Sequence, residues 1–229
     1  MRFQAPESLS EQIAQHLGQR IITGAMRPGE RIQELKVAGD LDVSRGSVRE
    51  ALLILERRHL INIYPRKGAV VSALTPDLVD SLYDIYINLL HMLVENVLDR
   101  HTESNLEPVM RAVSELRRRI TTPGASFEDV IEGGMTVMRQ CYPIVNNPYL
   151  EETLENFRPA ISRTYFLVLE RDSEETRLTD EFFAELAGCV QTKDREGVAR
   201  AVREFGEHQR QVALEALAKD KTLSRELAN

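Results

Sequence analysis

Three side chains within five positions are suited to reading a ligand: Arg45, Ser47 and Arg49. Guanidiniums four residues apart share one face of a helix. From such a face an arginine fork donates two parallel hydrogen bonds to O6 and N7 of guanine in a DNA major groove. Ser44, Ser47 and Lys36 are donors of the kind that hold phosphates or groove walls. Pro65-Arg66-Lys67-Gly68 supplies a second basic point. The plain alternatives are a solvated helix that carries two arginines and a hairpin tip made basic for solubility. The spacing of the flanking elements argues against both.

These side chains need elements to present them. Leu35–Arg58 reads as two short helices joined by a tight turn. Ala38 and Leu41 face inward from the first. Asp42 occupies the turn, where a short polar side chain tolerates a left-handed backbone. Val43 fills the gap between the helices. Ser44 is an N-cap for the second helix, since its hydroxyl accepts from the first free amides. Val48, Ala51, Leu52 and Leu55 then fall on one face at i, i+3, i+4, i+7. Upstream, Ser8 and Glu11 form a capping box for a helix striped with Ile13, Leu17, Ile21 and Ile22 and stopped at Gly24. Arg31-Ile32 is a minimal strand. Leu60–Tyr64 and Ala69–Ser72 read as strands of a β-hairpin wing with Arg66 and Lys67 at its tip.

The net charge of −7 is unevenly divided. Residues 1–74 hold 11 Lys and Arg against 8 Asp and Glu, a net of +3; the rest holds 18 against 28, a net of −10. A basic head on an acidic body suits a protein whose head alone meets phosphates. The acidic body discourages nonspecific wrapping of a polyanion. No apolar run is long enough for a membrane span and no signal core opens the sequence, so a cytoplasmic protein is expected. Cys141 and Cys189 lack a CxxC partner and read as reduced, packed thiols.

Thr75-Pro76 marks the junction between a head at 1–74 and a body at 75–229, with Thr75 as N-cap and Pro76 at the first helical position. The helix that follows carries a stripe of Leu78, Leu82, Ile85, Leu89, Leu90, Leu93 and Val97. Further helices are expected over Glu103–Ile120, Phe127–Val145, Tyr149–Leu169, Asp172–Gln191 and Arg195–Lys219, with a frayed tail beyond. Thr121–Ala125 and Asn146-Asn147-Pro148 are the clear breaks. The fold class is mainly α: a winged helix-turn-helix followed by an antiparallel all-α bundle.

In these residues the chain resembles a GntR-family transcriptional regulator of the FadR type, which has an all-helical, FCD-like effector domain. Pro28-Gly29-Glu30-Arg31, Val43-Ser44-Arg45 and Val48-Arg49-Glu50-Ala51-Leu52 correspond to the family's PGxRL, VSR and VREAL runs, and Gly68 to the wing's closing glycine. Leu35 stands where many members have a phosphate-contacting arginine, with Lys36 beside it as a substitute. Asn147-Pro148 and Asp194 with Ala199 and Val202 resemble runs of the body.

The resemblance implies a homodimer that binds a palindromic operator on double-stranded DNA, with a small-molecule effector inside the bundle. Many members hold a divalent metal there with one aspartate and three histidines. The corresponding positions are Gly134, Met138, Phe183 and Phe205, none of which is an ordinary ligand. The arginine usual on the first body helix falls on Tyr86. No metal and no cofactor are therefore expected, and the pocket should be more apolar. His208 becomes a ligand only if this register slips. Tyr86, Arg139, Arg163 and Tyr165 are the polar candidates for orienting an acyl or organic-acid effector; Gly134, Met138, Phe183 and Phe205 are the apolar ones. Each has a structural reading as well. Gly133-Gly134 inside a helix is either close packing or room for a bulky ligand.

Two other functions stand beside this one. One is a constitutive dimeric DNA-binding regulator without an effector. The other is an enzyme carrying a DNA-binding head; no GxSxG, HExxH, phosphate loop or spaced His/Cys cluster supports it.

Overall fold

A computed structural model describes residues 8–122, 127–169 and 173–226. The expected break at Pro123-Gly124-Ala125 and the helix start at Asp172 lie outside these. The chain divides into two compact units, one of residues 1–75 with 155–166, the other of 76–154 with 167–229.

In the first unit, α1 (Leu9–Ile22) packs on α3 (Arg45–Arg57), with α2 (Glu34–Asp40) between them in sequence. Ser8 caps α1, its hydroxyl accepting from the Glu11 amide at 3.2 Å. Ile13, Leu17 and Ile21 are buried against Val48, Ala51, Leu52 and Leu55, each full burial contributing about 1.5–3 kcal/mol. At the rim of this contact Arg58 bonds Glu11 at 2.5 Å and the Ser10 hydroxyl donates to Glu50 at 2.5 Å. The sheet is antiparallel in the order β1-β3-β2, from β1 (Arg31–Ile32), β2 (Ile61–Tyr64) and β3 (Gly68–Val71). Arg31 pairs with Val70, and Tyr64 with Gly68 at the hairpin end. Glu56 of α3 accepts from the Ile63 amide at 2.8 Å, which ties the outer strand to the helix.

The second unit holds α4 (Pro76–Arg100), α5 (Glu103–Ile120), α6 (Phe127–Val145), α8 (Ser173–Thr192) and α9 (Arg195–Glu226). α7 (Pro148–Leu169) contributes residues to both units. α5 packs on α6, and α4 and α8 on α9. Arg195 of α9 pairs with Glu95 and Asp99 of α4, and Arg210 with Asp84. A Cβ at Gly206 would stand 2.5 Å from Ile87 Cγ1, and one at Gly133 2.6 Å from Leu116 Cδ1. Glycine there lets helices approach closely, which accounts for Gly133 by packing. A Cβ at Gly134 would stand 3.4 Å from the Phe183 ring.

Two expectations need correction. The inward face of α4 is Val79, Tyr83, Tyr86, Leu93, Val94, Val97 and Leu98. Leu78 and Ile85 of the expected stripe are about half exposed, at 52% and 50%. α4 is apolar on two faces, so periodicity alone does not choose between them. The last helix also extends beyond the expected end at Lys219, to Glu226. Among the described residues, no helix is long and apolar enough to cross a membrane.

Candidate nucleic-acid interface

The turn between α2 and α3 is a Schellman closure. The Val43 amide donates to Ala38 O at 3.0 Å and the Asp42 amide to Gly39 O at 3.4 Å. Asp42 takes the left-handed position at φ 52°. The chain thus leaves α2 along a fixed path and enters α3 at Ser44. The Ser44 hydroxyl accepts from the Ser47 amide at 3.0 Å and lies 2.9 Å from the Ser47 hydroxyl. Both serine side chains stand at the positive end of α3, where backbone amides favour an anion.

Val48, Ala51, Leu52 and Leu55 are buried and fix the rotation of α3 about its axis. Arg45 and Arg49 consequently point outward, their side chains 53% and 62% exposed. Both face one carboxylate: Glu34 Oε2 lies 2.8 Å from Arg49 Nε and 3.5 Å from Arg45 Nη2. Lys36 is exposed on α2. At the wing tip, Arg66 at φ 63° and Gly68 at φ 80° are both left-handed, and the Lys67 amide donates to Pro65 O at 2.8 Å. Glycine adopts that conformation without the steric cost an added Cβ brings to Arg66. Lys67 Nζ lies 5.4 Å from the Tyr64 ring centroid, a cation–π contact that leaves its charge at the surface. The eight residues proposed from sequence thus all lie at or near the surface of one unit. Glu34 was not among them. It precedes the arginines by 11 and 15 residues, so no local spacing links them.

Of the eight effector candidates, six belong to the second unit and two, Arg163 and Tyr165, to the first. A cavity of about 40 Å³ lies among α4, α5, α6 and α8, with Val94, Val97, Val109, Cys141, Phe183 and Val190 in its wall. Of the eight, only Phe183 lines it. Burial pushes the Cys141 thiol up to about 12. Phe205 stacks on Phe182 at 4.1 Å, and Phe183 meets Phe182 edge-on at 5.0 Å. Tyr86 and Met138 are core residues, 5% and 6% exposed. Gly134 packs beside Phe183, and Arg139 pairs with Glu132. Arg163 belongs to the first unit and donates to Ser72; Tyr165, half-buried, lies in the same segment. His208 bonds Glu175 at 2.9 Å. Among the described residues no group of three or more His, Cys, Asp or Glu is placed to hold a metal.

Residues 9–71 match the family model of bacterial regulatory proteins, gntR family. The chain is 30% identical over 150 residues, 66% of each chain, to the uncharacterized HTH-type transcriptional regulator YdhC of Bacillus subtilis (strain 168). It is 26% identical over 200 residues to the gluconate operon transcriptional repressor of the same organism, covering 82% of this chain and 78% of that one. The solved structure of E. coli McbR/YncC has the same fold, with a TM-score of 0.74 over 91% of this chain and 98% of that one at 22% identity.

Proposed function

A chain whose residues 9–71 are a GntR-family head is a DNA-binding transcriptional regulator of that family, and on this premise we propose that it acts as a homodimer of the FadR type on a palindromic operator in the cytoplasm. The observation that carries the proposal is the outward pair Arg45 and Arg49 on a helix whose rotation is fixed by four buried residues. These arginines read guanine edges. Ser44, Ser47, Lys36, Arg66, Lys67 and the Gly68 turn hold phosphates or groove walls.

The dimer reading is supported by α4. Leu78, Leu82, Ile85, Leu89 and Met92 recur at alternating four- and three-residue steps, and Leu78, Ile85 and Met92 are 52%, 50% and 48% exposed. That spacing is the seam of a helix pair. Ser81 and Asn88 flank it, uncharged and exposed, and leave room for a symmetry mate. Sedimentation equilibrium tests this: the full chain should be a dimer, and Ile85→Glu should shift it to monomer. A monomeric wild-type chain would contradict the proposal.

For control we infer an apolar, acyl-type effector that enters the bundle beside Phe183, because the cavity wall is apolar. Such a ligand has to widen the cavity, since small-molecule sites are about 300–1,000 Å³. The 40 Å³ volume favours a second reading, a constitutive dimer. Native mass spectrometry with medium-chain fatty acids separates the two. A retained adduct that raises the melting temperature supports effector control; no adduct and no shift support the constitutive dimer.

A further inference from the structure

We propose that Glu34 is a specificity-determining residue: it holds the Arg49 fork in reading position and penalises DNA that offers no guanine there. The inference rests on the reading of α3 as the DNA-reading helix.

Glu34 lies on the first turn of α2, with its side chain 30% exposed, and faces the N-terminal half of α3. Its Oε2 takes Arg49 Nε at 2.8 Å and stands 3.5 Å from Arg45 Nη2. A guanidinium carries five N–H donors in one plane. With Nε engaged, the Nη1 and Nη2 ends of Arg49 remain as a two-pronged fork. An unbuttressed arginine loses several rotamers on meeting a base. Here that ordering has taken place in the free protein.

Stability does not explain the arrangement, since exposed ion pairs contribute little. Its effect on DNA is larger. A carboxylate next to the reading arginines partly cancels the charge by which they would grip any phosphate, so sequence-independent affinity falls. A guanine placed at the fork restores the deficit through O6 and N7, whereas adenine presents a donor at the O6 position. Leu35, 67% exposed on the next position of α2, adds no compensating charge. The head therefore combines two arginines with one acid, which favours discrimination over raw affinity.

The test uses the full-length chain and a synthetic duplex library with a randomised centre. Bound duplexes are sequenced, and affinity is then measured for a selected duplex and an unrelated one. Glu34→Gln keeps the shape and removes the charge. The expected result is a roughly tenfold fall in the ratio of selected to unrelated affinity, carried mainly by tighter unrelated binding. The guanine preference should blur at the same base pairs that Arg49→Ala blurs. Arg49→Lys, which lacks the fork, should lose guanine preference at those positions and serves if Glu34→Gln folds poorly. A wild-type chain that selects a sequence, with Glu34→Gln or Arg49→Lys selecting it equally well, overturns the inference. So does a Glu34→Gln variant that tightens on selected and unrelated duplexes alike. A wild-type chain that selects no sequence overturns the α3 reading itself.

Discussion

Arg163 of α7 donates from Nη1 to the Ser72 carbonyl at 2.9 Å and to the Ser72 hydroxyl at 3.2 Å. The Ser72 hydroxyl in turn donates to His59 O at 2.9 Å, and the His59 ring meets Phe157 at 5.0 Å. One helical segment is thereby fastened to the exits of both α3 and β3. Burial lowers the Arg163 guanidinium to about 10, which leaves it charged at neutral pH. Arg163→Ala removes a charged donor from a part-buried acceptor, and the expected loss is about 2 kcal/mol in urea denaturation. Ser72→Ala keeps the carbonyl contact and should cost about half as much. Equal and negligible effects would show that the contact contributes nothing.

The cap at Ser44 is shared between folding and binding. Ser44→Ala should destabilise the chain by about 1 kcal/mol and Ser44→Gly by only a few tenths. Chemical denaturation measures the difference. Both variants should also bind DNA more weakly, since each removes the hydroxyl proposed to face phosphate.

Two helical glycines should respond in opposite directions. Gly206→Ala places a methyl group on Ile87 and should cost about 1–3 kcal/mol. Ile87→Val in the same chain, by removing a methyl from the crowded side chain, should recover part of it. Gly188 in α8 is exposed, and no heavy atom lies within 4 Å of an added Cβ. Gly188→Ala should stabilise by about 0.5–1 kcal/mol. Thermal melts distinguish the pair.

The Cys141 thiol gives a pH signature. Its ordinary value is 9.0 and burial pushes it up to about 12. Between these values the folded chain keeps a proton that the unfolded chain releases. The contribution is therefore fully present below pH 9, and stability falls as pH rises towards 12. Cys141→Ala should flatten that alkaline slope. In the native chain the buried thiol should also resist a bulky disulfide reagent until denaturant is added.

The head was legible because its signals are local. Ser44 precedes Val48, Ala51, Leu52 and Leu55 at helical spacing, and Asp42 sits where a turn needs a left-handed residue. Nothing local marks Glu34 as the partner of Arg45 and Arg49, because the pairing exists only once α2 folds across α3. Arg163 and Ser72 are 91 residues apart and were likewise invisible to spacing. On α4 two apolar faces compete: Leu78 and Ile85 of the expected stripe lie exposed, while Leu93 and Val97 of the same stripe are buried. For Gly133 the sequence left packing and ligand space open, and the Leu116 side chain decides for packing.

The most direct test of the account is sequence selection by Arg45→Ala and Arg49→Ala full-length chains from the randomised duplex library. The account predicts that the wild-type chain selects a palindrome with guanines in each half-site. Each variant should lose preference at its own guanine and about tenfold or more in affinity for the selected duplex. Variants that select the wild-type sequence with wild-type affinity would contradict it.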